Sequence, residues 1–415
     1  MSKKISKPMP TITKLPPKET EKKIIKIEDP EKKDADGAQE AVAEPEKNFP
    51  SMEYDRYFLE WLKQVKQSIL VTSYKTNFVF CIGFTHLIEP EQREQLSFWM
   101  TSSARCMGAA QCDNGNSVWI GNMSYLTKYC KFGEQVDEGE GYKRDPFDGL
   151  FVPRKIHVTS DIDIHDITIP AGGENPGVPH FISAVYSCVC TPSEDHSFKV
   201  YWKPPWISKV AAEDRTHLNG LCCVNGVPRY VTACSRSDVR GGWREHKRDG
   251  GVIYDIVSDA LVCKGLSMPH SPRWNDGKLW VLNSGKGQFG YIDFTVTKED
   301  GGEEYYPFVS CCFIPGYLRG LSFIDNRYAV IGSSDDRHEQ TFQDLELGET
   351  LKAKGTTAKC GIHIVDLKTF DIIHEMRFEK PITELYDVVV VPNTIRPILD
   401  ELAPLGLSRR LNVEE

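Results

Sequence analysis

Three things are missing from this chain of 415 residues: a Cys-x-x-Cys pair, a long apolar run, and an excess of basic charge. Each absence removes a class of protein. Thirteen cysteines without metal-ligand or framework spacing argue against structural zinc and against a disulfide scaffold. Several lie in apolar, strand-like runs, as Cys222-Cys223 and Cys311-Cys312 do, so they read as buried free thiols in a reducing compartment. The longest apolar runs, such as 78–84 and 388–391, are far too short to span a bilayer. The basic first residues have no apolar stretch after them, so no secretory leader is expected, and the expected location is the cytoplasm. A net charge of −9, with pI near 5.7, argues against a nucleic-acid partner, which needs a basic face.

Aromatic residues are absent before Phe49. Residues 1–48 carry 11 Lys against 10 acids and cannot bury enough apolar surface to offset the entropy of ordering. They are expected to form a disordered charged tail, with a second short tail over 401–415. Over 49–66, Tyr54, Tyr57, Phe58, Trp61, Leu62 and Val65 fall at helical spacing. A short amphipathic helix packed on the following domain is expected there.

What is abundant is a repeated hairpin. Met268 to Asp293 reads as a strand, an Asn-Asp-Gly turn, an apolar strand, a Gly-rich turn and a third strand. Asn and Gly accept positive φ at little cost, so such turns between apolar alternations mark hairpins. The same pattern recurs around Asp113-Asn114-Gly115, Asn225-Gly226 and Asp325-Asn326, and two further members near residues 165 and 387 lack the short turn. A recurrence at about fifty residues is the signature of a β-propeller. Six first strands, near 107, 165, 219, 270, 319 and 387, predict an all-β fold of six blades over 67–400, with five or seven blades left open. The N-terminal hairpin is expected to close the ring by completing the last sheet. The polar stretch from Asp335 to Thr357 is expected to be a long surface loop.

In such a ring the first strands line a central channel, and equivalent positions converge although they are distant in sequence. The alignment places His165, Asn219, His270, Arg319 and Asp387 at one level, beside Met107 or Arg105. Period-two alternation adds Asp163, His217, Met268, Tyr317 and Leu385 to the same face. Two readings of this polar ring stay open. His165, His270 and Asp387 suit a divalent transition metal, or acid/base chemistry, because imidazoles plus a carboxylate favour such ions over calcium. Asn219, Arg319, His217, Asp163 and Tyr317 would then bind the ligand, Arg319 through a carboxylate or phosphate. Alternatively these groups bond to one another and hold the blades in register. The loop Arg236 to Arg244, with three Arg, a Trp and two Gly, is expected either to cap the channel and meet an anion or to be solvated.

The phrases HLNGL (217–221), GLSMPHSPRW (265–274), LWVLNSGKGQFGYID (279–293), PGYLRGLSF (315–323) and ELYDVVVVP (384–392) resemble a mostly bacterial family of propeller-like proteins described as a domain of unknown function. The resemblance spans residues 68–400 and implies a propeller, but no reaction, substrate or cofactor. More loosely, the chain is similar to six-bladed lactonase-like and strictosidine-synthase-like propellers. Their calcium sites use Glu, Asn and Asp, where this chain offers His165 and His270.

The expected function is binding of a small polar or anionic ligand in the funnel, with metal-assisted hydrolysis or isomerisation as the chemistry a bound metal would supply. The alternative is a non-catalytic scaffold whose partner is another protein.

Overall fold

The turns carry the backbone geometry that their residues favour. Asn114 and Gly115, Asn225 and Gly226, Asp276 and Gly277, and Asp325 and Asn326 all have positive φ, between 48° and 85°. Each therefore reverses the chain between a channel-lining strand and its neighbour. The computed structural model describes residues 23–25, 51–85, 95–132, 147–173, 175–335 and 344–402.

The hairpins assemble into six antiparallel blades around a channel. Blade one runs outward from Val388–Val391 through Ser68–Ser73 and Phe78–Phe84 to Leu96–Ser102. The channel-lining strands of blades two to six are Ala109–Cys112, Ile164–Thr168, Leu218–Val224, Pro269–Asn275 and Tyr317–Ile324. Blade one is thus built from both ends of the domain: Val388 to Val391 pair with Val71 to Ser68. This closure removes the free edges an open ring would expose.

The remaining pieces of the chain ends clasp the outer rims. Pro397–Leu399 adds a parallel strand to the outer strand of blade two. Met52–Tyr54 adds to blade six, and Lys23–Ile25 pairs with it in turn. Those three residues fall in the expected tail; the rest of 1–48, and 403–415, lie outside the described residues.

The helix begins later than its spacing suggests, at Phe58, because Met52–Tyr54 is recruited as a strand. It buries Phe58, Trp61 and Leu62, with Trp61 edge-on to Tyr328 at 5.8 Å. Full burial of such side chains contributes about 1.5–3 kcal/mol each. A second departure lies in the expected loop, where Glu346–Ala353 is a helix. Its Leu347 and Leu351 pack with Trp243, Met268, Tyr317 and Leu345 over one end of the channel. Among the described residues no helix is long and apolar enough to cross a membrane.

Four channel-lining strands share an irregularity. Register shifts fall between Ile164 and Ile167, Leu218 and Gly220, His270 and Arg273, and Arg319 and Leu321. A bulge re-aims the side chains that follow it, so strict alternation fails at this level of the channel.

Candidate functional site

The strand starts of blades three, four and five repeat a local device. Asp163, His217 and Met268 adopt positive φ of 58°, 47° and 46°. The side chain two residues later folds back onto each of their carbonyls: His165 Nδ1 to Asp163 O at 3.0 Å, Asn219 Nδ2 to His217 O at 3.3 Å, and His270 Nδ1 to Met268 O at 2.8 Å. A carbonyl can only accept, so Nδ1 donates in both histidines and the lone pair is left on Nε2. The backbone thereby sets the tautomer.

Ring contacts then run round the mouth. Trp243 stacks on His217 at 4.2 Å, and His217 meets His165 edge to face at 4.9 Å. His165 meets Tyr386 at 5.5 Å, and the Arg319 guanidinium lies 4.7 Å from the Tyr386 ring centre and 5.1 Å from that of Tyr317. Tyr317 meets His270 at 5.6 Å. Five blades contribute to this arc.

Burial fixes the charges. It lowers the His165 pKa to about 4, with His217 and Arg319 acting in the same direction and Asp163 against. Burial, then Arg319, drives His270 well below its ordinary value. Both imidazoles are therefore neutral near pH 7. Burial opposes the charge on Arg319, yet Tyr386, Tyr317 and Tyr74 more than offset it and raise its pKa. Burial also raises Tyr386. Two buried polar atoms of the arc, His270 Nε2 and the Tyr386 hydroxyl, have no hydrogen-bond partner among the described residues. Leaving such a group unpaired costs about 1–3 kcal/mol, so each is a place for a ligand or water to bond.

A second polar layer involves Asp166, Arg273 and Asp387. Asp166 takes two bonds from Arg273, of 2.8 and 3.1 Å, and accepts Leu221 N from the next blade. Asp387 accepts Ala109 N and Val388 N at 2.9 Å and lies 3.6 Å from Arg273. Arg273 Nε reaches Leu321 O. These groups link all six blades. Burial raises Asp387 to about 7, Arg273 acting against it and Asp166 with it.

The predicted ring therefore divides. His165, His217, His270, Tyr317 and Arg319 come together. Asp387 does not join them, because its carboxylate is held by two backbone amides and Arg273. Its expected partnership with His165 and His270 around a metal is not formed, and among the described residues no three His, Cys, Asp or Glu side chains are placed to hold one. Asn219 is spent within blade four, donating to His217 O and Cys234 Sγ and accepting from Thr232. Asp163 pairs with Arg105.

Alternation that puts Leu385 and Asp387 on the channel face would turn Tyr386 away from it, yet Tyr386 lines the mouth. Residues 385–387 precede the strand Val388–Val391, so alternation does not govern them. Trp243 and Asp214 carried no repeat signal. Trp243 arrives on the Arg-rich loop and donates to Asp214 Oδ2 at 2.8 Å, with Arg244 over its ring. A cavity of about 500 Å³ opens elsewhere, between outer parts of blades four and five. Most of its charged lining is already paired, Arg229 with Asp255 and Glu303 with Arg236, so the chemistry favours the mouth.

A family model described as "Domain of unknown function (DUF4915)" matches residues 56–399. No curated protein matches the sequence. Similar solved structures include a nidogen/laminin complex, at 8% identity and TM-score 0.45, covering 79% of this chain and 99% of the other. A gluconolactonase from Xanthomonas campestris is 8% identical, with TM-score 0.39 and coverage of 76% and 86%. Virginiamycin B lyase from Staphylococcus aureus is 10% identical, with TM-score 0.34 and coverage of 64% and 88%.

Proposed function

The chain belongs to the DUF4915 family, and from its own residues we propose that it binds a small, hydroxylated carboxylate at the channel mouth. The observation that carries this reading is Arg319, a buried guanidinium between Tyr317 and Tyr386, next to neutral imidazoles and two buried polar atoms that lack partners among the described residues. Arg319 supplies the charge and a planar fork that matches a carboxylate. His270 Nε2 and His165 Nε2 accept from ligand hydroxyls, while the Tyr386 hydroxyl donates. Tyr317, Tyr386 and Trp243 form the walls. Few charges and several convergent polar atoms on an aromatic surface are the usual make-up of a small-molecule site.

The test is a thermal-shift screen of hydroxy carboxylates of two to six carbons beside the matched uncharged alcohols. Stabilisation by carboxylates alone supports the reading. Equal response to both sets, or to neither, overturns it, and the second result returns the protein to the scaffold alternative.

A further inference from the structure

The three imidazoles of the mouth are not equivalent. His165 and His270 each give Nδ1 to a backbone carbonyl. His217 instead faces a carboxylate, with Nδ1 2.9 Å from Asp214 Oδ1. That carboxylate is firmly placed: Trp243 Nε1 donates to its other oxygen at 2.8 Å, and Arg244 lies 3.6 Å away. Burial works to raise the Asp214 pKa, but His217, Trp243 and His165 together bring it below the ordinary value, so it is ionised. The His217 ring is clamped between the Trp243 face and His165. Its side chain keeps 12% exposure, whereas His270 is buried. Asp214 is the hydrogen-bond partner of the ring, which leaves Nε2 for the mouth.

We propose that His217, oriented by Asp214, is the acid/base residue of the mouth, exchanging one proton with a hydroxyl of the bound hydroxy carboxylate, while His165 and His270 serve as hydrogen-bond acceptors. This rests on the ligand-binding reading above and moves the acid/base role away from the His165, His270 and Asp387 set. In the step, the ligand O–H bond breaks as an Nε2–H bond forms, and the electron pair stays on oxygen. The new imidazolium points its Nδ1–H at the Asp214 carboxylate, and the oxyanion lies in the field of Arg319. The reverse transfer restores the starting state, so no further reactant is needed. An ionised carboxylate behind a histidine is the arrangement that fixes its tautomer and stabilises its charged form.

The charged and titratable groups around His217 are Asp214 on its own loop, Arg244 beside Trp243, His165 from blade three, His270 from blade five, Cys234 on the neighbouring strand and Arg319 from blade six. Asp214 is the negative member of this set nearest the ring. Removal of Asp214 should therefore act first on His217, the ring it bonds, and more weakly on His165.

The experiment is histidine-ring nitrogen NMR on the full chain, labelled at histidine and assigned by single substitutions. In the neutral rings of the wild type, His165, His217 and His270 should all carry the proton on Nδ1, because each Nδ1 faces an acceptor. In Asp214→Asn, whose side-chain oxygen can still accept from Trp243, the amide nitrogen faces the ring, so His217 should move its proton to Nε2 while His165 and His270 keep theirs on Nδ1. A wild type in which His217 carries its proton on Nε2 overturns the assignment. So does an Asp214→Asn protein, folded by its backbone spectrum, in which the His217 tautomer is unchanged. Neither outcome needs a ligand, so failure here is separate from failure of the carboxylate screen.

Discussion

Arg319 and Tyr386 stand in direct contact across the channel mouth, the guanidinium carbon 4.7 Å from the ring centre, although they come from blades six and one. Tyr386 in turn donates its backbone N–H to Thr72 O at 2.7 Å, across the seam where the ring closes. Placement of the arginine charge therefore depends on pairing of the first and last strands of the domain, and an intact closure is a precondition for the site.

Replacing Arg319 with Met keeps an unbranched stem and removes the charge. Charge-assisted hydrogen bonds contribute about 1.5–3 kcal/mol, so carboxylate affinity should fall roughly 10- to 100-fold. Far-UV circular dichroism should remain that of a β-propeller. Unchanged carboxylate affinity in a folded variant would place the anion elsewhere.

Trp243 is 1% exposed and belongs to the apolar cluster of Met268, Tyr317, Leu345 and Leu347. Trp243→Ala should destabilise the protein by about 3–5 kcal/mol, read from denaturant midpoints. A loss below about 1 kcal/mol would show that the loop is not integral to the mouth.

Gly320 has φ of +76°, and a Cβ there would lie 2.4 Å from Val388 N. Gly320→Ala should destabilise by at least about 1–3 kcal/mol, since it adds backbone strain to a clash with blade one. A neutral substitution would mean that the bulge is not built as described.

Histidine burial sets one pH dependence. His165 and His363 have pKa values lowered to about 4, and His270 also lies well below its ordinary value. Between about pH 4 and 6.5 the unfolded chain binds protons there that the folded chain does not, so stability rises with pH. Each fully titrating group adds about 1.4 kcal/mol per pH unit. Urea unfolding at pH 5, 6 and 7 should show this slope, and His165→Gln should make it shallower. An unaltered slope would mean that His165 is not held neutral.

Asp387 acts in the opposite sense. Its folded pKa is raised towards 7, so its contribution is present below the unfolded value near 4 and is lost as pH rises through 7. Asp387→Asn is neutral throughout. Its stability relative to wild type should therefore increase between pH 5 and 8; a flat difference would show that the carboxyl ionises as it does in water.

The blades and the ring members His270 and Arg319 were legible because turn chemistry repeats, each Asn/Asp/Gly turn dating the strand before it; His165 was placed by the fifty-residue interval alone. The division into two layers was not. It comes from bulges after Ile164, Leu218, His270 and Arg319, which alternation cannot see. Consecutive residues such as His165 and Asp166 thereby acquire different partners, a tyrosine–imidazole surface for one and Arg273 for the other. Trp243 and Asp214 sit on connections specific to one blade, so no internal comparison could reveal them. The helix Glu346–Ala353 was hidden by polarity, since only Leu347 and Leu351 are buried along it.

The central claim is that the mouth recognises a carboxylate through Arg319. Isothermal calorimetry on the best hydroxy carboxylate from the screen and on its amide, with wild type and Arg319→Met, tests it most directly. Wild type should favour the carboxylate by about tenfold or more, and the preference should vanish in the variant. Equal affinity for acid and amide in wild type, or a preference that survives in Arg319→Met, would contradict the account.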